Sequence, residues 1–257
     1  VQRAVRTYWQ DRDIAPAEGV GQTLYARLDQ DAVHLSLDSS GDNLYRRGLK
    51  THGAAAPLRE TLAAAVLLLS GYDPERPLFD PMCGSGTFAL EAALMAKRIP
   101  PGYARGFAFM QWPSFRPARW HHLKATAAEK VKRFDRPLIH ASDIDPEMIR
   151  PLADCIQRNG LEDVVTVRRA DFFALSAPPD SSGLIVLNPP YGRRLTPDAH
   201  LQEFYRSIHN KLSNDFNGWR IAWIVPRPEW VRRMARGLKP FNLVHGGLEL
   251  TLLVGRL

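Results

Sequence analysis

Eight residues constrain this chain more than any others: Asp80-Pro81-Met82-Cys83-Gly84-Ser85-Gly86-Thr87, set between the apolar run Pro77–Phe79 and the helix-like run Phe88–Lys97. A strand, a glycine turn and a helix in that order form a backbone cradle for a small polar group, and here an acid closes the strand. A Gly-x-Gly turn alone is a weak signal, because glycines at such junctions often serve only positive φ or close packing. The dinucleotide pattern does not fit, since Ala89 takes the third glycine position and Asp80 would repel a phosphate.

The rest of the chain supplies the frame. Leu138–Asp143, Val164–Arg169, Leu184–Leu187 and Trp219–Val225 read as strands, and Pro146–Asn159, Ala199–Leu212 and Glu229–Leu238 as helices. Strands alternating with helices predict a mostly parallel sheet covered on both faces. Leu58–Leu69 is apolar around most of its circumference, which predicts a helix buried between layers, bounded by Pro57 and Gly71. Two closing runs, Leu243–Leu248 and Thr251–Leu257, punctuated by Gly246-Gly247, predict a hairpin and one antiparallel strand.

Ahead of this frame, Val1–Gln10 reads as the end of an amphipathic helix, and Gln22–Leu28 with Ala32–Asp38 as a hairpin. Residues 1–50 are therefore expected to be the tail of a separate domain, and 51–257 a catalytic domain. The chain opens with Val1, which fits a piece of something longer, although an ordinary N-terminal extension is the alternative. The insert Pro100–Pro137 interleaves Phe107, Phe109, Trp112, Phe115 and Trp120 with arginines. Such residues can stack on nucleic acid, but more often they fill a core.

With 45% hydrophobic residues the chain can bury a sizeable core. Its net charge of +7 and pI near 9.6 favour a polyanionic partner. Cys83 and Cys155 form neither a disulfide framework nor a metal spacing, which fits a reducing cytoplasm. No apolar run approaches the length of a membrane span, so no membrane partner is expected.

In an open parallel sheet, ligands bind beyond the carboxyl ends of the strands. Four such ends carry informative residues. Asp80 suits a ligand with an ammonium group, such as the methionine part of S-adenosylmethionine; Asp143-Ile144 offers a carboxylate to a ribose; Asp171-Phe172 offers an acceptor beside an aromatic face, suited to adenine. Each acid alone could be a helix cap. The fourth end is Asn188-Pro189-Pro190-Tyr191, the most specific signal in the chain. Two prolines hold a stiff turn in which the Asn188 side-chain oxygen and the Pro189 carbonyl can both accept. Two acceptors on the N–H groups of a conjugated exocyclic amine fix the nitrogen and disperse the charge that develops as a methyl group arrives, while Tyr191 can stack on the ring.

Asp80–Thr87 followed by Asn188–Tyr191 resembles the class I S-adenosylmethionine-dependent amino-methyltransferases. With Leu37–Gly48 and Ala56–Ala64, the chain resembles more narrowly the THUMP-associated RNA guanine-N2 methyltransferases, of the type acting on large-subunit ribosomal RNA. The resemblance implies an α/β, Rossmann-like, doubly wound and mostly parallel seven-stranded sheet with one antiparallel strand, preceded by the tail of a THUMP-like RNA-binding domain. It implies that Thr61, Asp80, Met82, Cys83, Gly84, Ser85, Gly86, Thr87, Asp143, Ile144, Asp171, Phe172 and Asn188 surround S-adenosylmethionine, with S-adenosylhomocysteine as product and no metal. Asn188, Pro189, Pro190 and Tyr191 form the target-base site, and Arg46, Arg47, Arg193 and Arg194 are candidates for RNA phosphates. The expected activity is methyl transfer to guanine N2 in ribosomal RNA. The alternatives are a transfer RNA guanine-N2 enzyme, a DNA adenine-N6 enzyme and a non-enzymatic RNA-binding or assembly factor on the same fold.

Overall fold

Leu184-Ile185-Val186-Leu187 is buried at every position because layers cover both its faces. The computed structural model describes residues 2–13, 22–50, 58–176, 182–191, 198–230 and 237–257. In chain order the elements are α1 (Gln2–Gln10), β1 (Leu24–Asp29), β2 (Ala32–Leu37), α2 (Glu60–Leu69), β3 (Leu78–Asp80), α3 (Thr87–Lys97), α4 (Pro117–Ala128), β4 (Ile139–Asp143), α5 (Pro146–Arg158), β5 (Val165–Arg169), β6 (Leu184–Leu187), α6 (Asp198–Asp215), β7 (Arg220–Val225), β8 (Lys239–His245) and β9 (Leu248–Arg256).

Seven strands form one sheet in the order β5-β4-β3-β6-β7-β9-β8. All neighbours up to β7 run parallel, and β9 is antiparallel to both β7 and β8. The order reverses between β3 and β6, and such a switch point opens a crevice at the carboxyl ends of the strands. Strand alternation divides the core: Leu184 and Val186 pack on one face with α3 and α5 residues such as Leu90 and Leu152, while Ile185 and Leu187 pack on the other with Tyr205, Ile208 and Leu212 of α6.

Two features differ from the sequence expectations, and a third expectation falls mostly outside the described residues. Helix α2 buries Ala63, Val66 and Leu67 but leaves Leu68 71% exposed and Leu69 46% exposed, so it packs by one face rather than between layers. The insert contains a helix, α4, that no periodic apolar face announces. Its aromatics pack on one another, with Phe107 stacked on Phe109 and Trp120 edge-on to both, in a half-buried cluster apart from the main core. Of the helix expected at Glu229–Leu238, the structure describes a 3-10 turn at Pro228–Trp230, and residues 231–236 lie outside the described ones.

The β1–β2 hairpin is exposed along its whole length. Residues 38–50, by contrast, are fastened to the sheet domain. The Arg105 guanidinium from the insert donates to the backbone carbonyls of Ser40, Asp42, Asn43 and Arg46 at 3.0, 2.6, 2.8 and 3.3 Å. Arg47 forks onto Glu91 of α3 at 2.9 and 3.0 Å.

Candidate active site

Asp80, the last residue of β3, is 1% exposed, and among the described residues neither carboxylate oxygen has a hydrogen-bond partner. Burial pushes this carboxyl up to about 8; the Ala89 N–H nearby counters the rise, Asp143 adds to it and Lys50 opposes it. The turn that follows is pinned at both ends, with the Cys83 N–H donating to the Ser142 carbonyl at 2.9 Å and the Gly86 N–H to the Cys83 carbonyl at 2.8 Å. Burial pushes the Cys83 thiol well above its ordinary range, which leaves it an inert, packed group beside the half-buried Met82.

The two glycines of the turn do different work. Gly86 has φ +72° and lies against Leu152 of α5, whose side chain a Cβ there would overlap. Gly84 has φ +50°, and no atom lies within 4 Å of the place a Cβ would take. Gly86 thus serves packing, while Gly84 leaves backbone open to a ligand.

The neighbouring strand ends complete the crevice. Asp143 accepts the Gly84 N–H at 2.8 Å through one oxygen and the Asp145 N–H at 3.0 Å through the other. Ile144 beside it is 61% exposed. Asp145 caps α5 by accepting the Glu147 N–H at 2.9 Å, and Asp171, exposed at the end of β5, accepts the Phe173 N–H at 3.0 Å. After β6, Asn188 carries a buried side-chain oxygen with no hydrogen-bond partner among the described residues, Pro189 is buried, Pro190 is exposed and Tyr191 is half-buried against the core. Below this turn lies Tyr205, fully buried and stacked on Trp223 at 5.8 Å; burial and the nearby Tyr191 push its hydroxyl up.

Several candidates stand differently from their expected places. Phe172 is 2% exposed and belongs to the core, because the 3-10 turn capped by Asp171 points it inward; Phe173, 39% exposed, is the outward ring. Arg47 is spent on Glu91 and on the Leu44 carbonyl, which removes it from an RNA-facing surface, whereas Arg46 is exposed. Thr61 is exposed on α2, and it is Glu60, one residue earlier, that meets a charge at the cradle. Arg193 and Arg194 lie outside the described residues.

That charge is Lys50, which sequence reasoning did not single out. Its ammonium donates to Thr87 Oγ1 at 2.8 Å and Ser85 Oγ at 3.2 Å and stands 3.8 Å from the Glu60 carboxylate. Its only signal in the sequence is membership of a basic stretch, which does not separate a cation seated on the cradle from one left in solvent. Among the described residues no group of His, Cys, Asp and Glu is placed to hold a metal ion, and no helix is long and apolar enough to cross a membrane.

A sheet in this order, with an acid and glycine turn after its first strand and Asn-Pro-Pro-Tyr after its fourth, defines a Rossmann-like class I methyltransferase fold. Comparison with known proteins narrows the class. The chain belongs to the RMKL-like methyltransferase domain family, whose model matches residues 47–251. It is 36% identical over 250 residues to a provisionally named RNA methyltransferase of Synechocystis, covering 96% of this chain and 65% of that protein. It is 37% identical over 242 residues to the ribosomal RNA large subunit methyltransferase K/L of Ectopseudomonas mendocina, covering 90% of this chain and 33% of that protein. The chain thus spans less than two thirds of the length of these relatives. The crystal structure of SMU.472, provisionally a methyltransferase and complexed with SAH, superposes with a TM-score of 0.85 at 29% identity, covering 98% of this chain and 66% of that one.

Proposed function

We propose that this chain transfers a methyl group from S-adenosylmethionine to the exocyclic N2 amine of a guanine in large-subunit ribosomal RNA. The observation that carries this is a pair of buried acceptors without hydrogen-bond partners, Asp80 and Asn188, at the ends of adjacent strands across the switch point. Buried acceptors of this kind are costly unless a ligand supplies N–H groups. Asp80 suits the ammonium of the cofactor's methionine half, and Asn188 the amine of the target base.

The residues around them fit the same cofactor. Gly84 leaves its backbone open to the methionine half, Asp143 retains acceptor capacity for ribose hydroxyls, the exposed Ile144 gives an adenine ring an apolar seat, and Asp171 accepts from the ring's amine. When bound, the cofactor supplies a methyl group made electrophilic by its sulfonium. The Asn188 side-chain oxygen and the Pro189 carbonyl then hold the target amine in line, and Tyr191 stacks on a base flipped out of its helix. The product nitrogen passes its proton to water, so no strong base is required.

The choice of RNA rests on the net charge of +7 and on the names of the relatives. Within residues 1–50, α1 and the β1–β2 hairpin are assigned to the tail of an RNA-binding domain. The exposure of Leu24, Tyr25, Leu28, Val33, Leu35 and Leu37 supports a partner surface there. The deciding experiment incubates the protein with methyl-labelled S-adenosylmethionine and either ribosomal RNA, transfer RNA or DNA, then maps the modified nucleosides by mass spectrometry. Labelled N2-methylguanosine in ribosomal RNA is expected. Labelled N6-methyladenine in DNA would overturn the assignment in favour of a DNA enzyme, and no binding of S-adenosylhomocysteine would remove the enzyme reading altogether.

A further inference from the structure

The cradle contains a built set of donors besides its acceptors. Lys50 Nζ donates to both the Ser85 and Thr87 hydroxyl oxygens, at 3.2 and 2.8 Å. With acceptor lone pairs taken in this way, the two hydroxyls have their own protons to give. They stand 3.5 Å apart, so one can donate to the other and the second must donate elsewhere. Among the described residues the third proton of Lys50 makes no hydrogen bond, and Glu60 at 3.8 Å is within ion-pair range but outside hydrogen-bond range. Thr87 opens the 11-residue helix α3, whose N-terminal N–H groups and dipole favour negative charge at the same point.

From this arrangement we infer that Lys50, with Ser85 and Thr87, binds the carboxylate of the cofactor's methionine half, and so selects ligands that carry an intact amino acid. This rests on the S-adenosylmethionine reading above. The charge logic is complementary. Asp80 provides a buried acceptor and Lys50 a donor of opposite sign, both facing the turn Cys83–Thr87, and a zwitterion is the ligand that satisfies both. Burial lowers the pKa of Lys50, and Glu60 at 3.8 Å opposes that fall without taking up the last proton of the ammonium. Thr61, which the resemblance places beside the cofactor, is exposed on α2, and Lys50, ahead of that helix, is the residue seated on the cradle.

The test is calorimetric titration with two ligands: S-adenosylhomocysteine and its decarboxylated analogue, which keeps the ammonium and loses the carboxylate. Wild type should bind S-adenosylhomocysteine about tenfold or more tightly than the analogue, as for a hydrogen bond to a charged group. Lys50→Met should abolish that preference while binding the analogue as wild type does, and Lys50→Arg should keep part of it. A wild type with no preference would overturn the inference, as would Lys50→Met weakening both ligands alike, the mark of a residue that only shapes the turn. If Lys50→Met does not fold, the wild-type comparison and Lys50→Arg decide the matter. Failure of wild type to bind either ligand is a distinct result, which sinks the cofactor reading and this inference with it.

Discussion

The Asp143 carboxylate accepts the Gly84 N–H at 2.8 Å, so the end of β4 shapes the turn that follows β3. Its other oxygen holds the Asp145 N–H at 3.0 Å. Asp143→Ala deletes both bonds, and the expected result is at least about a tenfold loss of S-adenosylhomocysteine affinity with a Tm lower by roughly 2–8 °C. Asp143→Asn should fall between. Calorimetry and thermal melts check this; a full loss of affinity at unchanged Tm would mean that the carboxylate serves the ligand alone.

Asp80 makes stability depend on pH in an unusual direction. Its carboxyl, ordinarily near 3.8, lies at about 8 in the folded chain because of burial, so the folded state holds a proton that the unfolded state gives up. The contribution of Asp80 is therefore neutral at low pH, turns unfavourable as pH rises from about 4 and levels off above about 8. Urea denaturation between pH 5 and 8 should show a decline that Asp80→Asn reduces. An ammonium-bearing ligand favours the ionised form, so S-adenosylhomocysteine should release about one proton on binding at pH 7, read by titration in buffers of different ionisation enthalpy.

Alanine at the two glycines should separate folding from binding. Gly86→Ala combines left-handed backbone strain with crowding against Leu152 and is expected to cost about 2–4 kcal/mol of stability. Gly84→Ala meets no neighbour and should cost only about 1–2 kcal/mol, yet weaken S-adenosylhomocysteine more than Gly86→Ala does in whatever fraction folds. Denaturation and calorimetry on the same two proteins give the ranking.

Asn188→Ala should lower kcat by about 10²–10³-fold, the usual effect of removing an oriented polar group from a reacting centre. Because the substitution deletes a buried acceptor that has no partner, Tm is expected to hold or rise. A large drop in Tm would show that the side chain is structural.

The Arg47–Glu91 pair predicts a different pattern. Glu91 is 3% exposed and Arg47 12%, so Arg47→Met strands a buried carboxylate at a cost of about 3–5 kcal/mol. Adding Glu91→Gln should recover much of it in a double-mutant cycle. Loss of RNA binding by Arg47→Met beyond its effect on folding would restore Arg47 to the RNA surface.

The sheet was legible because buried parallel strands leave continuous apolar runs, as in Leu184–Leu187, and because residues directly after such runs line the crevice. What escaped depends on which way individual side chains turn. Phe172 and Phe173 are equivalent in sequence, and only the 3-10 turn capped by Asp171 sends the first inward. Leu68 and Leu69 are as apolar as Leu67, yet α2 buries one face. Helix α4 has no fully buried residue, so it leaves no periodic signature. Lys50 is separated from Ser85 and Thr87 by a whole helix and strand, and no local pattern connects them.

One guanidinium, that of Arg105, satisfies four carbonyls of the loop Ser40–Arg46. Insert and loop are therefore a single structural part, although two helices and a strand come between them in the chain. A chimera that borrowed the insert from a relative without the matching loop would leave several backbone acceptors unpaired, and the segment that carries Lys50 to the cradle would be held by the Arg47–Glu91 pair without the Arg105 clasp.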